Sequence, residues 1–248
     1  MERIIYDGTF EGLLTVLKEL FSNRGEEGEI LAARNRRPVL FYVDRQVETD
    51  FLQAELMLKE IKDRISPAAL RHVFYAYLSE EKEAGNLIYR YLKKGFALGR
   101  QVDFNVADAD VAAVHALSMR VGREKHRLMG LARFRLLKGD IYYAPLEPDG
   151  DVLVLLAPHF RKRMPEENWI IHDLKREKAV LYNKKEWLIS ALKAGVRPEK
   201  AAEEKKFQLL WKKYFGSIAV KERKNLRLQA SFMPKKYWRY LVEMEDDS

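Results

Sequence analysis

Apolar positions recur along this chain in two rhythms, one helical and one alternating. Arg3-Ile4-Ile5-Tyr6 reads as a strand and Asp7-Gly8 as a turn. Phe10, Leu13, Leu14, Leu17, Leu20 and Phe21 then follow the helical period, with Thr9 as the cap. Residues 22–29 form a polar loop, and Pro38 to Val43 is a second strand candidate. Asp50 and Gln53 have capping-box spacing at the head of a helix ending near Arg64. Ser66-Pro67 opens another that buries Leu70, Val73, Phe74 and Tyr77. A further helix spans about 82–98 and stops at Gly99. Asp108 caps the next, with Val111, Val114, Leu117 and Val121 on one face, running to Arg127. The rhythm changes at Leu131. Ala132 to Leu136 alternates, Lys138-Gly139-Asp140 turns, and Ile141 to Ala144 returns. Residues 152–163 read as a helix that Pro158 must kink or divide. Residues 169–173 and 179–182 make a second hairpin. Pro198 starts a helix carrying Phe207, Leu210, Trp211 and Tyr214, closed by Gly216, and Pro234 starts a short final one.

This order predicts an α+β fold. It is largely helical, with a small antiparallel sheet of two hairpins around a helix and a helical basic C-terminal segment. Three regions are expected within one compact unit: 1–130 mainly helical, 131–190 the hairpins, and 191–248 the basic helices.

Charge sharpens the picture of the last region. The 248-residue chain has a net charge of +8. Residues 197–240 alone carry +9, residues 241–248 carry −4, and residues 1–196 only +3. A basic excess so concentrated is the electrostatic footprint of a polyanion partner. The chain has no cysteine, which excludes disulfides, a thiolate nucleophile and cysteine-held metal centres. No apolar run approaches the roughly 20 residues of a membrane span. The N-terminus does not read as a signal peptide. A cytoplasmic protein without membrane contact is expected.

Four constellations are candidates for chemistry. Lys221, Arg223, Lys224, Asn225 and Arg227, followed by Lys235, Lys236, Tyr237 and Arg239, combine phosphate-binding cations with Asn225 to read an edge and Tyr237 to stack on a base. An amphipathic helix burying Trp238 and Leu241 explains the same pattern structurally. Arg123, Glu124, His126 and Arg127 lie one turn apart, with Arg133 soon after. Glu124 is spaced to pair with Arg120 and Arg127, or to serve with His126 as a general acid/base beside an arginine-lined phosphate site. His159, Arg161 and Arg163 stand at a helix end, where cations also complement the dipole. Glu147, Asp149 and Asp151 flank Gly150, as a Mg²⁺ site or as ordinary turn chemistry, and the turn is favoured. His72, His115 and His172 stand alone, with no pair at metal-binding helical spacing, so no metal or cofactor is expected.

Four stretches resemble a bacterial family associated with DNA repair or DNA metabolism, whose core is a domain of unknown function. They are residues 6–12 (YDGTFEG); residues 124–130 (EKHRLMG) with Arg133-Phe134; Tyr143 to Pro148 through His159-Phe160; and Leu210-Trp211 through Met233 to Trp238. Leu131 and Leu226 depart from the family pattern, which has an aromatic residue and a proline there. The resemblance implies a radical-SAM gene partner and, in relatives, fusion to a uracil-DNA-glycosylase-like domain. It supplies no catalytic residue. The expected function is a DNA-binding accessory protein in repair or modification. The alternatives are an enzyme acting on DNA through Glu124, His126 or His159, and an interaction scaffold whose basic segment docks an acidic partner.

Overall fold

The structure, a computed structural model, describes residues 2–23, 28–37, 40–193, 201, 203–218 and 232–244. The fold is α+β, and it divides into two compact units, Met1–Gly122 and Arg123–Ser248.

The first unit opens with β1 (Glu2–Tyr6), α1 (Phe10–Asn23), β2 (Glu29–Ala32) and β3 (Val43–Gln46). These strands form a parallel sheet in the order β2-β1-β3. Strand β2 was not expected, and the strand expected at Pro38 to Val43 is β3, which begins only at Val43. Phe41 has φ +70°, which ends any extended run there. β3 is polar and is held by ion pairs: buried Arg3 meets Asp44 at 2.5 Å, and Arg45 reaches Glu2 and Glu19. The turn into α1 explains the Asp-Gly-Thr run. Gly8 sits at φ +94°. Asp7 Oδ1 accepts from Thr9 N–H and Oγ1, and Thr9 Oγ1 caps Gly12 N–H. Gly12 lies so close that a Cβ there would stand 2.3 Å from Asp7 Oδ1.

Helices α2 (Phe51–Glu60), α3 (Pro67–Leu78), α4 (Ala84–Leu98) and α5 (Ala109–Leu131) follow. Asp50 caps α2 through Leu52 and Gln53 N–H, while its own N–H goes to Thr15 rather than back to Gln53. Ser66 caps α3 with Pro67 at its first position. Gly99, at φ +58°, closes α4 and leads into a 3₁₀ turn, Gly99–Phe104. The core joins Ile4, Leu13, Leu17, Ile30, Met57, Ile61, Ile88 and Tyr91, all of them fully buried or nearly so.

The second unit holds β4 (Arg135–Leu137), β5 (Ile141–Leu146), α6 (Leu153–Arg163), β6 (Asn168–Asp173), β7 (Lys178–Asn183), β8 (Trp187–Ala191) and α7 (Glu204–Ile218). The sheet runs β4-β5-β6-β7-β8. Both expected hairpins form, but the sheet is mixed rather than antiparallel, because β5 and β6 pair in parallel. The helical crossover α6 carries the chain back to the starting end, which imposes that direction. Helix α5 outlasts the expected stop at Arg127, so β4 starts only at Arg135. Pro158 does not divide α6, and its ring is exposed. The predicted helix start at Pro198 lies outside the described residues, and α7 continues past Gly216 to Ile218. A 3₁₀ segment, Lys235–Tyr240, follows Pro234. Among the described residues no helix is long and apolar enough to cross a membrane.

Candidate nucleic-acid interface

Glu124 is held by a dense set of hydrogen bonds. Helix α5 presents it on its buried face, 6% exposed, toward the loop after β5. Its carboxylate accepts from Asp149 N–H at 2.7 Å, Gly150 N–H at 2.9 Å, Tyr237 Oη at 2.5 Å and Lys236 Nζ at 3.3 Å. A carboxylate has about four lone-pair positions to offer. Four donors therefore place Glu124 as the bolt that fastens both the 149–150 turn and the C-terminal segment to α5. Burial pushes the Tyr237 phenol well above its ordinary range, and the Glu124 bond adds to the shift. The expected Glu124–Arg120 pairing is not made; Arg120 instead reaches Glu81 at 3.0 Å.

The C-terminal segment is thus a wall of the unit. Tyr237, Tyr240, Leu241 and Val242 are buried. Tyr237, expected to stack on bases, faces Glu124 and is removed from solvent. Trp238 is half-buried and donates to the Met233 carbonyl at 2.8 Å. The acids 147, 149 and 151 are met by cations: Arg239 bonds Glu147, Lys236 bonds Asp149 and Lys178 bonds Asp151. This supports the turn reading of that acidic run over a Mg²⁺ site. Lys235, Lys236 and Arg239 keep exposed side chains. Lys221, Arg223, Lys224, Asn225 and Arg227 lie outside the described residues.

Beside this wall opens a cavity of about 710 Å³. Met129 and Gly130 of α5, Phe134, Phe160, Arg163 at the end of α6, and Phe207, Leu210 and Trp211 of α7 line it, together with Arg133 and Val242. Phe134 meets Phe160 edge-on at 5.1 Å. Arg133 lies over the Trp211 ring at 5.2 Å and forks onto Glu243 at 2.7 and 3.2 Å. Burial alone would raise the Glu243 carboxyl. The hydrogen bonds from Arg133, with backbone and Trp211 N–H bonds beside them, hold it below the usual range. Arg161, Lys162 and Arg163 stand exposed at the C-terminus of α6, where cations complement the helix dipole.

The structure therefore brings Arg133 and Arg163 to one cavity and ties Glu124, Lys236 and Tyr237 together. Arg123, His126 and Arg127 are exposed on α5. His159 is half-buried, and its Nε2 has no hydrogen-bond partner among the described residues. Burial, then Arg163 and Lys125, push its imidazole below the ordinary value. No hydrogen bond joins Glu124 to His126 or His159 among the described residues. Two features escaped sequence reasoning. The first is Glu243, whose charge reads as part of an acidic tail. The second is the exposed aromatic side of α7, which reads as a core face although Phe207 is 58% exposed.

The second unit is an α+β body with an arginine-edged aromatic cavity, and helix α5 links it to the helical first unit. The chain belongs to the family described as domain of unknown function DUF4130, which matches residues 82–243, more than half of the sequence. No curated protein matches the chain.

Proposed function

We propose that the chain is a DNA-binding accessory protein of repair or modification that presents DNA to a separate enzyme. The observation that carries this reading is the cavity of about 710 Å³ where aromatic side chains and two arginines meet. Trp211 and Phe207 offer faces on which an unpaired base can stack, a sequence-tolerant contact. Arg163, with Arg161 and Lys162 beside it, offers phosphate contacts whose formation releases counterions. Glu124, the acid first considered for chemistry, has its carboxylate occupied by four donors, which favours an accessory role over a hydrolase. The resemblance supplies the partner's class, a radical-SAM or glycosylase-type enzyme.

Fluorescence anisotropy with a labelled single strand and the matching duplex, over a range of salt, tests the proposal. Binding that weakens steeply with salt and favours the single strand is expected. Absence of salt-dependent binding to either DNA refutes it. Co-purification with a radical-SAM protein tests the partner separately.

A further inference from the structure

The first unit gathers three side chains that the sequence keeps far apart. His72 comes from α3, Asp103 from the 3₁₀ turn after α4, and His115 from α5. One ligand atom of each lies within 4.8 Å of the others. The two imidazoles stack with centroids 4.2 Å apart and planes 28° apart, so their edges run side by side. Two of the three are steered by hydrogen bonds from neighbours. Ser118 Oγ lies 3.0 Å from His72 Nδ1, which leaves Nε2 as the open nitrogen of that ring. Asp103 accepts from Ser66 Oγ at 2.7 Å on one oxygen and from Tyr91 Oη at 2.8 Å on the other. His115 Nε2 is buried and, among the described residues, has no hydrogen-bond partner.

We propose that His72, Asp103 and His115 form a binding site for a divalent first-row metal ion, of which Zn²⁺ is the natural probe. Two imidazoles and one carboxylate suit Zn²⁺ in ligand type. The hydrogen bonds to His72 and Asp103 match the outer shell that fixes ring orientation and carboxylate direction in metal sites. A cation coordinated through His115 Nε2 would satisfy a buried ring nitrogen that has no hydrogen-bond partner among the described residues. Three protein ligands leave a fourth tetrahedral position to water or a substrate atom. The three residues are partly rather than fully buried. The site is independent of the DNA proposal, since all its residues lie in the first unit.

The test uses the tag-free full-length protein, stripped with a chelator and titrated with Zn²⁺ by calorimetry. One Zn²⁺ per chain is expected. Ala at His72 or His115 should weaken binding by about a hundredfold or more, and Ser118→Ala by roughly tenfold, as outer-shell changes do. His126→Ala, on an exposed histidine outside the cluster, should leave binding unchanged. Co²⁺ substitution gives a second reading, with visible absorption characteristic of a low-coordinate nitrogen–oxygen site. Circular dichroism of each metal-free variant separates misfolding from ligand loss, and Asp103→Asn serves if a histidine variant fails to fold. Failure of the stripped wild type to take up Zn²⁺ stoichiometrically overturns the proposal. So does undiminished binding by the folded His72, His115 or Asp103 variants.

Discussion

Replacing Glu124 by alanine is the sharpest perturbation the second unit allows. It deprives the Asp149 and Gly150 N–H groups, the Tyr237 hydroxyl and the Lys236 ammonium of an acceptor at once. Asp149 is exposed and Lys236 keeps its bond to the Asp149 carboxylate, so water and that carboxylate cover part of the loss. Gly150 and Tyr237 are buried and have no such recourse. Each buried donor left unmet costs about 1–3 kcal/mol. For two such donors a loss of roughly 3–5 kcal/mol is expected, a large share of the ~5–15 kcal/mol typical of a domain. All four tryptophans, at 169, 187, 211 and 238, belong to this unit, so selectively excited tryptophan fluorescence follows its unfolding. With a urea slope near ~2 kcal/mol/M, the midpoint should fall by about 1.5–2.5 M. Glu124→Gln should fall by less, because the amide oxygen still accepts. If Glu124→Ala shifts the midpoint by less than about 0.5 M at unchanged slope, Glu124 is not the bolt described above.

Three further outcomes are expected. Arg163→Ala should weaken binding to all DNA sequences alike and reduce the salt slope by about 1, whereas Trp211→Ala should cost single strands about 1–3 kcal/mol and duplex less; both are read by anisotropy. Because the Glu243 carboxyl is held below its ordinary 4.5, its pairing with Arg133 is fully present above that pH and is lost as pH falls through the lower folded value. Urea midpoints measured down the acid range should show this decline, and Glu243→Gln should flatten it. Gly12→Ala brings a Cβ against Asp7 Oδ1 and Thr49 Oγ1, so the Asp7 bonds must break or shift; a loss of about 1–3 kcal/mol is expected in thermal melts followed by circular dichroism.

Local signals in the sequence were reliable where local bonds decide the structure. The caps at Asp50, Ser66 and Asp108, the stop at Gly99 and the turn 138–140 all lie where side-chain and glycine chemistry indicates. Elements held by distant partners were not legible. β3 is a polar strand whose place depends on Arg3, about forty residues earlier. Tyr237 and Lys236 read as ligand-facing until α5 supplies Glu124, more than a hundred residues away in the chain. His72 and His115 show no metal-binding spacing because the helices bring them together, not a motif. The cationic end of α6 and the aromatic run of α7 were visible as composition. That they share a cavity was not, since it depends on how α5, α6 and α7 pack.

The parallel join between β5 and β6 also has a kinetic meaning. Each hairpin closes over a few residues and can form in microseconds. The join must wait until the chain between Leu146 and Asn168 has been gathered and α6 laid across it. Long-range parallel pairing of this kind is slow, because loop closure costs entropy before any contact repays it. Contact order thus predicts that the two hairpins assemble before they are related to each other. Their alignment is then fastened by buried His172, whose Nδ1 meets Tyr143 Oη of β5 at 2.8 Å and whose Nε2 meets the Leu192 carbonyl beyond β8 at 2.9 Å. One imidazole on the central strand therefore reaches toward both ends of the sheet, and the step expected to be slow in this unit is the one that brings its two partners into range.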